Sequence, residues 1–179
     1  MTVVTISGNP GSGKSTVAKL LEKKLGIKYI YSGMIFRELA EEHEMSLEEF
    51  GKYCEEHENI DVELDNRQLE ILKKGDVILE GRLAGWLAYK NKIPAFKISI
   101  IADLNIRTER VVNREKGDIK ARKKEIIERE RSETARYKKY YNIDLNDNSV
   151  YDVVIDSGDK TPEEITDIIL EEMKEKHFL

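Results

Sequence analysis

Eight consecutive residues near the start of the chain constrain its fold more than any other feature. Residues 8–15 read GNPGSGKS, which fits the phosphate-binding loop pattern G-x-x-x-x-G-K-[S/T] at every position. The short apolar run Val3-Val4-Thr5-Ile6 precedes this loop, and residues 16–25 carry apolar side chains at helical spacing. The sequence therefore predicts a buried parallel strand, a phosphate-binding loop and a helix, in that order.

This loop is suited to bind a nucleoside triphosphate. Its glycines allow tight turns that aim backbone N–H groups inward, and the helix N-terminus adds its positive dipole end. We expect Lys14 to reach the β- and γ-phosphates and the Ser15 hydroxyl to bind the Mg²⁺ that bridges them. The predicted ATP-binding residues are Gly8, Asn9, Pro10, Gly11, Ser12, Gly13, Lys14, Ser15 and Thr16.

Length and charge exclude several classes of protein. The chain has 179 residues, 36% of them charged, and a net charge of −5, which fits one domain of ordinary size. No apolar stretch approaches the ~18–20 residues of a membrane span, and the first strand follows Met1 directly, which leaves no room for a targeting segment. We expect a cytoplasmic protein, with a monomer favoured, that binds neither membranes nor nucleic acid.

Five short apolar segments alternate with helical patterns along the chain. This alternation predicts an α/β protein in which helices flank a five-stranded parallel sheet. Together with the phosphate-binding loop, it indicates the fold of phosphate-loop (P-loop) NTPases. The predicted strands are residues 3–7, 28–31, 77–79, 96–101 and 153–155.

Helices are predicted for about forty residues between the second and third strands, more than a crossover helix requires. The first covers residues 34–44 and the third covers residues 62–73. The second begins with a capping box of Ser46 and Glu49 and ends at His57. We interpret them as an insertion that covers the site of the phosphoryl acceptor. A further capping box, from Thr161 to Glu164, predicts the last helix.

The segment of residues 107–140 is basic, with thirteen Lys and Arg against seven Asp and Glu. Arg107, Arg110 and Arg114 share one helix face, and so do Arg122, Arg129 and Arg136. Such a segment is often only a solvated surface. Beside a phosphate-binding loop, we interpret it as a mobile cover whose arginines face the transferred phosphoryl group.

The order of motifs resembles that of the nucleoside monophosphate kinases, in particular the short archaeal cytidylate kinases. The phosphate loop is followed by Tyr31-Ser32-Gly33-x-x-Phe36-Arg37, by Glu80-Gly81-Arg82 and by the arginine-rich segment. The resemblance implies a single kinase domain, 1–179, with its core in residues 1–31, 74–106 and 141–179. It further implies an acceptor-binding insertion over residues 32–73 and an arginine-rich lid over 107–140.

The same resemblance assigns the acceptor site. Ser32, Gly33, Arg37 and Arg82 would hold the monophosphate, and the fork of donors on arginine suits phosphate oxygens. In the lid, Arg107 or Arg110 would lie over ATP. Arg129 and Arg136 would lie over the acceptor, and Glu133 would accept a hydrogen bond from the ribose. The catalytic residues would then be Lys14, Arg82, Arg110 and Arg129.

The sequence departs from the bacterial members where the base is recognised. Those enzymes have an Asp after the arginine of the Gly-Arg pair, whereas this chain has Leu83. The candidates for the base contact are Asp61 and Asp65, with Arg67 and Gln68 nearby, because a carboxylate and a donor together match the edge of cytosine. The alternative is that Asp61 caps a helix and Asp65 is solvated. The sequence also leaves open whether Glu80 contacts the metal.

The resemblance implies ATP-dependent phosphorylation of CMP and dCMP, with Mg²⁺ bound as Mg-ATP. Other small kinases of the same architecture, which act on UMP, AMP or an acceptor such as shikimate, remain an alternative. A GTPase-like switch is disfavoured because Asn91-Lys92-Ile93-Pro94 lacks the Asp of a guanine-specificity motif. An RNA-binding protein is disfavoured by the negative net charge and by the lack of aromatic stacking motifs.

Overall fold

The computed structural model describes the backbone of residues 1–179 and all side chains except those at positions 47, 48, 51, 55 and 58. Its strands are β1 (Val3–Gly8), β2 (Lys28–Tyr31), β3 (Val77–Glu80), β4 (Phe96–Ile101) and β5 (Val153–Asp156). They form one sheet in the order β2-β3-β1-β4-β5, in which each neighbouring pair is parallel. The predicted five-stranded α/β fold is confirmed, and each strand extends at most one residue beyond its predicted bounds.

The helices are α1 (Lys14–Leu25), α2 (Ser32–Glu42), α3 (Leu47–Glu56), α4 (Glu58–Lys74), α5 (Ala84–Lys90), α6 (Leu104–Glu115), α7 (Ile119–Tyr141) and α8 (Pro162–Glu175). Among these residues, no helix is both long enough and apolar enough to cross a membrane. Both predicted capping boxes are present, at the starts of α3 and α8.

Two helices begin earlier than the sequence predicts. The second helix, α2, starts at Ser32 instead of residue 34, and α4 starts at Glu58 instead of residue 62. The residues before them, Tyr31 and His57, make no side-chain capping bond. Because the prediction of a helix start depends on such caps, neither start had a signal in the sequence.

The core lies on both faces of the sheet, because successive side chains of a strand point to opposite sides. On one face, Val4 and Ile6 pack with buried residues of α1 and α8. On the other face, Val3 packs with buried residues of α2, α4 and α5. Helices therefore cover the central strands on both sides, as the nearly continuous apolar character of these strands predicts.

The carboxyl ends of the strands bring the predicted site together at one edge of the sheet. In the register of the strands, Glu80 of β3 lies opposite Ile6 of β1 and opposite Tyr31 of β2. The loop that follows β1, the start of α2 and the turn after β3 are therefore neighbours. Ligands of open α/β sheets bind at this edge.

Candidate active site

The phosphate-binding loop joins β1 to α1, as its sequence predicts. Gly11 and Gly13 have positive φ angles of 80° and 91°, a conformation that side chains other than glycine rarely adopt. A Cβ atom on Gly11 would lie 2.5 Å from the carbonyl oxygen of Arg107, so the loop has no room for a side chain there. The loop leads directly into the first turn of α1, whose free N–H groups suit an anion.

Lys14, the first residue of α1, lies close to the end of β3. Its Nζ lies 3.6 Å from Oε1 of Glu80. Burial lowers the pKa of Lys14, and the nearby guanidinium groups of Arg82 and Arg129 lower it further, against the opposite effect of Glu80 and Glu133. The charges of two predicted acceptor-side arginines therefore affect this ammonium group.

Glu80, at the end of β3, contacts several residues beside this loop. The Ser15 hydroxyl donates to Oε1 of Glu80 over 3.1 Å, and the Tyr29 hydroxyl donates to Oε2. Burial raises the pKa of Tyr29, and so does the hydrogen bond to Glu80, so this hydroxyl remains a donor at physiological pH. The sequence left the role of Glu80 open and gave no reason to single out Tyr29, which lies 51 residues away along the chain.

Glu133 joins two arginines on the acceptor side. The Nε of Arg82 donates to Oε2 of Glu133 over 2.6 Å, and the Nε of Arg129 donates to Oε1 over 3.0 Å. Arg82 also donates to the side-chain oxygen of Asn9 in the phosphate-binding loop. Glu133 is 6% exposed. Its contact with a ribose, which the resemblance implies, stays a prediction, but here it orients Arg82 and Arg129.

A cavity of about 580 Å³ opens beside this cluster, between the insertion helices and α7. Its walls include most of the predicted acceptor residues, namely Ser32, Gly33, Asp65, Arg82, Arg129, Glu133 and Arg136. We call this space the acceptor cavity. Its volume lies in the range that small-molecule sites occupy.

Arg37 is the exception among the predicted acceptor residues. It lies on the exposed side of α2, and its Nη1 donates to the Tyr31 hydroxyl over 3.5 Å. Arg37 is not one of the described residues that line the acceptor cavity. Its contact with the acceptor phosphate stays a prediction.

The predicted base-reading residues separate into two groups. Asp61, Asp65 and Gln68 line the acceptor cavity, whereas Arg67 pairs with Glu42 and Glu63 on the outside of α4. The structure contradicts both parts of the alternative interpretation. Asp61 does not cap a helix, since it lies inside α4, and Asp65 is buried instead of solvated.

The acidic residues of α4 connect this helix to α7. The Nη1 of Arg136 donates to both carboxylate oxygens of Asp61, over 3.0 and 3.2 Å. The Tyr141 hydroxyl donates to Oδ2 of Asp65 over 2.5 Å. Burial raises the pKa of the Asp65 carboxyl to about 6. Tyr141 had no signal in the sequence, because it lies 76 residues from Asp65 along the chain.

The structure distinguishes between the two arginines proposed to lie over ATP. Arg107 is buried, and it donates to the carbonyl oxygens of Ala102 and Pro10 and pairs with Glu130. Arg110 instead lines a cavity of about 300 Å³ that also borders the loop from Gly11 to Gly13 and the start of α1. The Arg110 guanidinium also donates to the carbonyl oxygens of Gly11, Ser12 and Ser157, and its contact with ATP stays a prediction.

Comparisons with known proteins identify the family of this chain. Residues 3–159 match the model of the cytidylate kinase-like family. A cytidylate kinase of Methanocaldococcus jannaschii is 48% identical over 168 residues, which cover 93% of this chain and 94% of that protein.

Two solved structures share the fold. An uncharacterized protein of Eubacterium ventriosum has a TM-score of 0.74 at 20% identity. The match covers 97% of this chain and 99% of that protein. A shikimate kinase of Aquifex aeolicus has a TM-score of 0.60 at 18% identity, and the match covers 98% of both chains. At such identities the likeness concerns the fold alone, whereas the family match extends over most of the sequence. The chain belongs to the cytidylate kinase-like family.

Proposed function

We propose that this protein transfers the terminal phosphoryl group of ATP to CMP, and also to dCMP, to give ADP and the nucleoside diphosphate. The observation that carries the proposal is that Arg82, which lines the acceptor cavity, also donates to the side chain of Asn9 in the phosphate-binding loop, so that the loop and the cavity adjoin. Two anionic groups, one on each side, can approach one another there. Family membership supports the choice of cytidine nucleotides.

The donor side fits Mg-ATP. The Ser15 hydroxyl and the Glu80 carboxylate, 3.1 Å apart, offer the oxygen ligands that Mg²⁺ prefers. Mg²⁺ usually takes one or two protein ligands and completes its shell with phosphates and water, so this small donor set is sufficient. A bound Mg²⁺ would neutralise charge on the phosphates. Tyr29 holds the second oxygen of Glu80 and so fixes the orientation of the carboxylate.

The acceptor side needs no general base. A monophosphate oxygen is already an anionic nucleophile, so catalysis consists of positioning and of charge neutralisation. Arg82 and Arg129 supply positive charge on the acceptor side, and Lys14 supplies it on the donor side. Glu133 holds both guanidinium groups in place before the substrate arrives, which lowers the cost of ordering them.

The insertion 32–73 and the basic segment 107–140 are proposed to act as covers. Helices α2 to α4 form one side of the acceptor cavity, and α7 forms the other. Closure of the two sides would exclude water, which otherwise competes with CMP for the phosphoryl group. A monomeric state, a cytoplasmic location and the lack of nucleic-acid binding stay predictions.

We include dCMP because the residue predicted to contact the ribose is already engaged. Each carboxylate oxygen of Glu133 receives a hydrogen bond from an arginine. Loss of the 2′-hydroxyl therefore leaves no buried carboxylate without a partner, and it costs less than loss of an essential hydrogen bond would.

A coupled assay of ADP release tests the proposal. The acceptors are CMP, dCMP, UMP, AMP and shikimate, each with Mg-ATP, and a reaction without acceptor measures ATP hydrolysis. We expect the highest kcat/KM with CMP, a similar value with dCMP and little release without acceptor. Preference for AMP or shikimate, or release that no acceptor increases, would contradict the proposal.

A further inference from the structure

One wall of the acceptor cavity carries a polar group that the proposed chemistry does not use. Gln68 of α4 lines the cavity and is 3% exposed. Its Nε2 donates to Oδ1 of Asp65 over 3.1 Å, whereas its Oε1 is buried and has no hydrogen-bond partner among the described residues. A buried carbonyl oxygen without a partner is costly, and such groups in native proteins call for an explanation.

The orientation of the Gln68 amide follows from its neighbour. An ionised carboxylate only accepts hydrogen bonds, so the NH₂ group of Gln68 must face Asp65. The carbonyl oxygen then points the other way. There it lies close to Gly81, where an added Cβ atom would come within 3.0 Å of Oε1 and 3.3 Å of the Ser32 side chain. Because Gly81 has no side chain, none covers the oxygen from this position.

Asp65 is engaged by its neighbours and serves as a positioning residue. Its Oδ1 receives the hydrogen bond from Gln68, and its Oδ2 receives one from Tyr141. These two contacts fix the carboxylate between α4 and α7, and the carboxylate in turn fixes the amide. Of the polar atoms in this group, the carbonyl oxygen of Gln68 is the one without a hydrogen-bond partner among the described residues.

The surroundings of Gln68 suit a flat base more than a phosphate. Apolar and aromatic side chains line the same cavity, namely Phe36, Leu64, Leu83 and Tyr137. The positive charges of Arg82 and Arg129 suit the phosphate. A carbonyl oxygen beside a carboxylate repels a phosphate but accepts a hydrogen bond from an amino group.

We propose that Oε1 of Gln68 accepts a hydrogen bond from the 4-amino group of cytosine, and that Asp65, held by Tyr141, fixes the amide in the orientation that this bond requires. The inference rests on the proposed function and names the group that selects the base. Uracil has a carbonyl oxygen in place of the amino group, so two acceptors would face each other. A site built around one hydrogen bond discriminates strongly against an analogue that cannot make it.

The test measures kcat/KM for CMP and for UMP in the wild type and in two variants. Gln68→Met keeps the length of the side chain but removes the amide. We expect it to lower kcat/KM for CMP by about a hundredfold and that for UMP by less than about threefold, so that the preference collapses. Asn66→Ala is the matched control, because Asn66 lies on the same helix and is exposed.

Asp65→Asn tests the positioning role separately. With the Tyr141 hydroxyl donating to its carbonyl, the new amide turns its NH₂ toward Gln68, and the Gln68 amide reverses. Its NH₂ then faces the base and can donate to the O4 of uracil. We expect kcat/KM for UMP to rise about tenfold while that for CMP falls.

The outcomes separate the inference from the proposed function. If the wild type does not phosphorylate CMP, the proposed function fails. If the wild type prefers CMP but Gln68→Met lowers both values equally or changes neither, Gln68 has only a structural role and the inference fails. Thermal unfolding of each variant shows whether it folds, and the Asp65→Asn result still decides the matter if Gln68→Met does not fold.

Discussion

The two halves of the cleft are built in different ways. The donor half is a continuous stretch from Gly8 to Ser15, and we propose that its backbone and the side chains of Lys14 and Ser15 bind the nucleotide. The acceptor half is assembled from side chains of α2, α4 and α7 and of the turn after β3. Local sequence therefore determines the donor half, whereas long-range packing determines the acceptor half.

The difference appears in what holds each half in place. Glycine conformations and the first turn of α1 shape the loop. Ion pairs and hydrogen bonds between helices hold the acceptor cavity, namely Arg82 with Glu133, Arg136 with Asp61, and Tyr141 with Asp65. Removal of one partner of a buried pair leaves an uncompensated charge, so substitutions there affect both substrate binding and folding.

The largest expected effect lies in the donor half. Lys14→Met removes the cation that faces the β- and γ-phosphates, and we expect kcat to fall by about a thousandfold or more. The protein should still fold, because the loop is shaped mainly by its backbone. The measurement is kcat at saturating ATP and CMP, with Lys19→Met on the exposed face of α1 as the control. A decrease of less than tenfold would contradict the assignment.

Arg82→Met is expected to have the next largest effect. It removes a donor fork from the acceptor side and leaves Glu133 with Arg129 alone, so kcat/KM for CMP should fall by about a hundredfold. The variant should also unfold at a lower temperature than the wild type.

A double variant separates the two consequences of losing Arg82. Adding Glu133→Gln removes the uncompensated carboxylate, so we expect the unfolding temperature to recover while activity stays low. Recovery of activity in the double variant would show that Arg82 acts only by balancing the charge of Glu133.

Arg136→Met probes the acceptor half alone. Arg136 lines the acceptor cavity and pairs with Asp61 across it, so we expect KM for CMP to rise about tenfold while KM for ATP stays unchanged. Steady-state kinetics with each substrate varied in turn gives both values. Equal changes in the two KM values would mean that the halves are not separable at this residue.

The smallest expected effect concerns stability and pH. The pKa of Asp65 is about 6 in the folded protein against an ordinary value of 3.8. The folded state therefore holds this proton more tightly, which favours folding below about pH 4, and this contribution is lost as the pH rises through about 6. We expect Asp65→Asn, which is neutral at every pH, to unfold about 2–6 °C above the wild type at pH 8.

This difference in unfolding temperature should vanish near pH 4, where the wild-type carboxyl is protonated as well. Scanning calorimetry at a series of pH values measures it. Asp167→Asn is the control, since Asp167 is exposed and should show no such trend. An equal difference at pH 4 and pH 8 would contradict the raised pKa.

The sequence predicted the fold and the position of the phosphate-binding loop, because both depend on local patterns. The five strands follow from short apolar runs, and the loop follows from one contiguous motif. It could not distinguish Arg107 from Arg110. They share one helix face, and only packing decides that Arg107 is buried against Glu130.

The acceptor half was predicted in composition but not in its contacts. The sequence pointed to Asp65 and Glu133, yet their partners Tyr141 and Arg82 lie 76 and 51 residues away. Arg67 was grouped with Asp65, although it faces the outside of α4. Spacing along a helix does not reveal which face meets a distant element, so these contacts needed the tertiary structure.

The central claim is that the donor loop and the acceptor cavity form one cleft for two nucleotides. Titration calorimetry with a bisubstrate analogue, in which adenosine and cytidine are joined through a chain of phosphates, tests it most directly. We predict that one analogue binds per chain and that Lys14→Met and Arg136→Met each weaken its binding. The account would be contradicted if only one of the two substitutions weakened binding. It would also be contradicted if ATP alone could not compete with the analogue.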